Sequence, residues 1–193
     1  MVAKPHSPVQ SRLFTVADYD RLPDDGPRYE LIHGELIEMP SPGWFHQLVL
    51  MAFVRFLDGF VFSRDIGTVC VAPFDVQLSD EVVQPDVFYV SAERRHITTR
   101  DRRASEAPDL VVEISSPSTK GHDREDKREL YRTHGVREYW FIDVEARTAT
   151  VWTLTGDRYV ELQPDIDGLI RSTVVTGFAV DMDQVFADAD RQR

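Results

Sequence analysis

Asp109-Leu110-Val111-Val112-Glu113-Ile114-Ser115 reads as a strand covered on both faces, because its interior is almost continuously apolar and β-branched. The two-residue strand period puts Asp109, Val111, Glu113 and Ser115 on one side and Leu110, Val112 and Ile114 on the other. Glu113 therefore stands among valines. A carboxylate there must find a cation, hydrogen bonds or a raised pKa, since burying it bare is costly.

Downstream, Ser116-Pro117-Ser118-Thr119 punctuates the chain, and the charged segment 122–134 contains neither proline nor glycine before Gly135, as a helix would. A strand is expected over 138–144, a meander over 148–154 and 157–162 with Gly156 at its turn, and a closing helical turn over 181–187. Upstream, short runs at 67–71, 74–78 and 86–90 read as strands. Helical spacing of Phe45, Leu48, Ala52, Phe56 and Leu57 predicts a mostly buried helix from Trp44 to about Ser63. Before it, His33-Gly34 joins 29–32 to 35–38 as a two-residue hairpin, and Thr15 caps a short helix closed by Pro23. Helix, strands, helix, strand in that order predict an α/β fold with one sheet at its centre.

At 193 residues the chain fits one domain, expected over 14–187, with a mobile arm over 1–13 and a tail over 188–193. The richest apolar run, 44–62, is broken by His46, Gln47, Arg55 and Asp58, and the start lacks an apolar signal segment. No membrane association and a cytoplasmic location are expected. Cys70, the single cysteine, sits between valines and reads as a buried structural thiol. The net charge of −11, from 33 acids and 22 bases, argues against a protein that coats nucleic acid, though not against an enzyme gripping a few phosphates. One basic stretch, Arg94 to Arg103, reads as a loop, in which Arg94 and Arg102 are candidate phosphate contacts.

Asp86, straight after Pro85 at the start of a strand, supplies a second carboxylate if its strand pairs with that of Glu113. Two converging carboxylates and a backbone carbonyl suit a hard cation, most naturally magnesium, completed by waters and a substrate phosphate. On the following helix Asp123, Lys127 and Tyr131 are four residues apart and share a face with Leu130, the side expected to pack on the sheet. Lys127 is thus expected to point inward, toward the carboxylates. An ordinary salt bridge between Lys127 and Asp123 is the alternative.

Gln84-Pro85-Asp86, Asp109 to Thr119, Asp123 to Lys127, Gly135 to Asp143 and the hairpin Arg28-Tyr29-Glu30-Leu-Ile-His-Gly34-Glu35 together resemble the Uma-two family, a branch of the PD-(D/E)XK restriction-endonuclease-like superfamily. That resemblance implies a restriction-endonuclease-like core with a central mixed sheet flanked by helices, an N-terminal hairpin and a C-terminal β meander. It implies a magnesium- or manganese-dependent endonuclease acting on DNA, working as a homodimer. By the same resemblance Asp86 and Glu113 are metal ligands and catalytic residues, the Ile114 carbonyl is a third ligand, and Lys127 is the catalytic lysine moved to a helix. Ser115 occupies the place where the superfamily motif expects that lysine. Glu30, Glu35 and His46 are possible auxiliaries. A non-catalytic binding or assembly module, or a hydrolase of RNA or small nucleotides, is the alternative that the acidity and Ser115 favour.

Overall fold

The computed structural model describes residues 13–23, 25–98, 103–115 and 122–193, with the backbone alone at 122–124. Apart from Leu13 the expected arm lies outside the described residues, as do Arg102 and the Asp123 side chain.

The chain begins with α1 (Val16–Tyr19), where Thr15 and Asp18 form a reciprocal capping box, followed by the hairpin β1 (Tyr29–Ile32) and β2 (Glu35–Glu38). His33 and Gly34 both take positive φ, 53° and 76°, which the right-handed twist of a two-residue hairpin requires and which glycine supplies without strain. Next come α2 (Trp44–Arg64), β3 (Gly67–Val71), β4 (Asp75–Leu78), β5 (Glu81–Val83), β6 (Val87–Ser91), a 3-10 helix (Ala92–Ile97) and β7 (Arg103–Ala104). The rest is β8 (Leu110–Ile114), α3 (His122–Thr133), β9 (Glu138–Asp143), β10 (Thr148–Thr155), β11 (Arg158–Leu162), β12 (Ile170–Arg171), β13 (Ala179–Val180) and α4 (Met182–Asp190).

Six strands form a mixed sheet in the order β11-β10-β9-β8-β6-β3, with β8 and β9 parallel and the other neighbours antiparallel. The alternation of β8 divides the core. Leu110, Val112 and Ile114 join α2 and α4 in one apolar cluster, with Trp140 and Phe53 at its centre. Val111 faces the other way, into a cluster with Leu130 and Tyr131 of α3 and with Ile32, Val76 and Leu78 from a second sheet.

That second sheet stands beside the expected central mixed one. Its order is β2-β1-β5-β4-β7, so the 74–78 strand leaves the main sheet and pairs with β5 instead. Helix α2 takes its expected place in the core. A window of it with mean hydropathy 1.5 is apolar enough to cross a membrane, yet Leu48, Val49, Ala52, Phe53, Leu57 and Val61 are buried against the sheet and α4, as in a core helix. The last helix also continues to Asp190, beyond the expected end at 187. Cys70 is only half-buried on an edge strand, where burial still raises its thiol pKa.

The expected basic loop is corrected as well. Residues 92–97 form the 3-10 helix, and Arg94 turns inward to donate to Asp109 Oδ1 at 2.8 Å and to the Ala107 carbonyl at 2.9 Å. Arg137 reaches the same Asp109 oxygen at 2.7 Å, and Ser91 N–H donates to Oδ2 at 2.7 Å. Burial raises the Asp109 pKa, but the Ser91 bond and the two guanidiniums outweigh it and hold the carboxyl below its ordinary value. A depressed pKa stabilises the fold above the unfolded value and is lost as pH falls through the folded one, so this anchor serves throughout the neutral range. Asp109→Asn should cost on the order of 3 kcal/mol in urea unfolding at pH 7, because two arginines lose their buried counter-charge, and the gap should close below about pH 4. A variant as stable as wild type at pH 7 would show that the arginines do not depend on Asp109.

Candidate active site

Extending the β6–β8 register, Val87 opposite Val112, by one step sets Asp86 opposite Glu113, at the distance of cross-strand neighbours. Asp86 Oδ2 accepts the Ile114 N–H at 2.7 Å, which fixes the carboxylate against the end of β8. From the second sheet, β1 delivers Glu30, almost wholly buried, whose Oε1 accepts the Gln84 N–H at 2.8 Å. From α3 comes Lys127, also buried. Its Nζ donates to Glu30 Oε1 at 3.1 Å and to Glu113 Oε1 at 3.2 Å.

One turn further along α3, the Tyr131 hydroxyl donates to the same Glu113 oxygen at 2.6 Å. Burial pushes that phenol well above its ordinary pKa, so it remains a donor. Sequence reading used Tyr131 only as an apolar marker of the packed face; its i+4 spacing from Lys127 was the signal for the hydroxyl as well. His46, at the start of α2, lies with Nε2 3.3 Å from Asp86 Oδ1 but without hydrogen-bond geometry, and neither ring nitrogen has a hydrogen-bond partner among the described residues.

Glu113 carries the electrostatic consequence of this crowding. Burial is the largest influence, Lys127 opposes it, and the charges of Asp86 and Glu30 add to it, so the carboxyl is pushed up to about 8. One ammonium faces three carboxyl groups here. Such a site either keeps a proton or takes a cation.

Asp86, Glu113, Ile114, Lys127, His46 and Gln84 border one cleft of about 270 Å³. Among the described residues no three His, Cys, Asp or Glu side chains form a ready-made metal cage. Magnesium does not demand one, because it keeps several waters and uses one or two carboxylates plus substrate phosphate. Both hydrogen bonds to Glu113 reach Oε1, and among the described residues Oε2 accepts none, so this oxygen and the Asp86 carboxylate fit a hard cation.

Not every expected residue reaches the cleft. Glu35 is exposed on β2, paired opposite Ile32. Ser115 is buried as a structural link, its Oγ accepting the Val144 N–H at 3.2 Å and its own N–H reaching the Ile142 carbonyl at 2.8 Å. Arg94 is committed to Asp109, four residues and roughly 13 Å along β8 from Glu113. Arg102 lies outside the described residues.

The architecture is that of an α/β nuclease fold. A solved structure from Anabaena variabilis, described as "a putative nuclease belonging to DUF820", superposes with a TM-score of 0.77 at 19% identity, covering 91% of this chain and 99% of that one. A family model, Uma2, described as "Putative restriction endonuclease", matches residues 16–183. The chain belongs to the Uma2 family. No curated protein matches it.

The raised Glu113 pKa sets a pH signature. Between its ordinary value of 4.5 and about 8 the folded chain holds a proton that the unfolded chain has lost, so the stability this group contributes is complete below 4.5 and disappears as pH rises through about 8. Glutamine cannot ionise but still accepts from Tyr131. Thermal melts of metal-free Glu113→Gln against wild type should therefore show a difference that moves in favour of the variant from pH 5 to pH 8.5, by on the order of 1–3 kcal/mol. A pH-independent loss of stability would make Glu113 a simple salt-bridge partner.

Proposed function

We propose that the chain is a magnesium- or manganese-dependent endonuclease that hydrolyses phosphodiester bonds in DNA. The observation that carries this reading is Lys127 Nζ, buried and shared between Glu30 at 3.1 Å and Glu113 at 3.2 Å, beside a cleft that also holds Asp86. Asp86 and Glu113, with the Ile114 carbonyl, would hold the cation. When bound, it would supply positive charge to the phosphate oxygens and lower the pKa of water beside it.

The side chains divide the remaining work. Asp86 is held to the strand end by Ile114, so its second oxygen, 3.3 Å from His46 Nε2, is set at the cleft at little further cost in entropy. Glu30 and Glu113 fix the Lys127 ammonium, which orients the attacking water and offsets the negative charge that builds on the phosphate. Tyr131 keeps Glu113 in one rotamer. His46 is a buried imidazole whose Nε2 lies 3.3 Å from Asp86 Oδ1, where it would help hold that carboxylate in place.

A homodimer, carried by the family resemblance, belongs to the same reading, together with the cytoplasmic location expected from the sequence. The second reading, a non-catalytic binding module or a hydrolase of RNA or small nucleotides, is favoured by the charge of −11, which repels a long polyanion. Cleavage assays at low salt, with magnesium or manganese and with single-stranded and duplex DNA, separate the two. Wild type should cleave only with metal, and Lys127→Ala should lower turnover about 10²- to 10⁴-fold while metal still binds. No metal-dependent cleavage under any of these conditions, or a Lys127→Ala protein as fast as wild type, would leave the binding module as the better account.

A further inference from the structure

The carboxylate cleft does not end at Asp86. It continues past Arg28, Pro73 and Gln84, which border both it and a neighbouring pocket of about 370 Å³ sunk between α1 and the start of β1. Arg28 directly precedes β1, its carbonyl accepting the Met39 N–H at 2.8 Å, and it borders the same cleft as Lys127. Most described arginines lie within 4 Å of a carboxylate, as Arg94, Arg103 and Arg137 do. Arg28 differs. It is half-buried, and among the described residues its side chain has no hydrogen bond, ion pair or ring contact. In a chain of net charge −11, a guanidinium left without a counter-charge on the wall joining two cavities is suited to an anion that comes with the substrate.

The pocket beyond supplies the rest of a binding site. Phe74 and Tyr29 border it with Pro23 and Pro27, giving flat apolar surface, while Asp75 Oδ1 accepts from the Tyr19 hydroxyl at 3.1 Å and from the Gln84 amide at 2.8 Å, which braces its floor. A pocket of this size takes one drug-sized ligand, comparable to a nucleoside. A base can enter such a concave site only when it is unpaired, and an acidic protein is ill suited to gripping a long duplex.

We propose that this groove binds a single unpaired nucleotide next to the scissile phosphate, with its phosphate on Arg28 and its base against Phe74. The proposal rests on the nuclease reading and narrows its substrate to single-stranded or locally unpaired nucleic acid.

Binding can be measured without turnover by fluorescence anisotropy of a labelled single-stranded DNA oligonucleotide in EDTA, across a salt series, against a duplex of the same length. Wild type should bind the single strand more tightly than the duplex. Arg28→Ala should weaken it at least tenfold and reduce the slope of log affinity against log salt by about 0.7, one phosphate's share on a single strand. Arg28→Lys should keep that slope. Phe74→Leu, which preserves apolar volume, should weaken binding about fivefold or more with the slope unchanged. Unaltered affinity and slope in Arg28→Ala, tighter or equal duplex binding, or no single-strand binding by wild type each overturns the proposal. Its failure is separable from that of the nuclease reading: Lys127-dependent cleavage with an Arg28-independent affinity sinks only the groove, whereas Arg28-dependent binding without metal-dependent cleavage sinks only the catalysis.

Discussion

The Lys127 ammonium is buried, and much of the molecule is arranged around that fact. A lysine removed from water must be met by acceptors and negative charge, and here it is met by two carboxyl groups from two different sheets. Glu30 comes from β1 of the five-stranded sheet and Glu113 from β8 of the six-stranded one, so the ammonium ties α3 to both. Glu30 also accepts the N–H of Gln84, two residues before Asp86, which links the lysine to the second cleft carboxylate through a single side chain. The cost of burying so much like charge falls on Glu113. Its carboxyl is pushed up to about 8, so it keeps its proton at neutral pH.

Strand β8 separates stability from chemistry along its own length. At its start Asp109 is saturated by Ser91, Arg94 and Arg137 and stays ionised. At its end Glu113 has one oxygen engaged and one unengaged among the described residues, and it faces another carboxylate. Two acids four residues apart, one just before β8 and one within it, thus take opposite roles, set by whether their partners are cationic donors or like charges. The Asp109 end is a fastening and the Glu113 end the candidate site.

The sequence made the Glu113 end legible for local reasons. Alternation in 109–115 set Glu113 on a buried face, and the four-residue spacing to Tyr131 turned Lys127 inward with the apolar side of α3. What stayed hidden depended on pairings between distant segments. β5 has three residues and β7 two, too short for any period to show, so the second sheet could not be inferred and Glu30 was visible only through a family motif. Arg94 looked like a free loop cation because its partner lies 15 residues away across a 3-10 turn. Glu35 resembles Glu30 in the hairpin and, opposite Ile32, shares its face, but it stands on the edge strand β2, where it is exposed, while Glu30 stands on the covered strand β1.

Asp86 and Glu113, whose charge the surrounding residues leave unbalanced, are the proposed divalent-cation site. Calorimetric titration of manganese into wild type and Glu113→Gln at pH 7.5 tests it most directly. The account predicts one site per chain in wild type and at least tenfold weaker binding in the variant, with the fold intact by circular dichroism. Equal affinity in the two proteins, or no manganese binding by wild type, would contradict it.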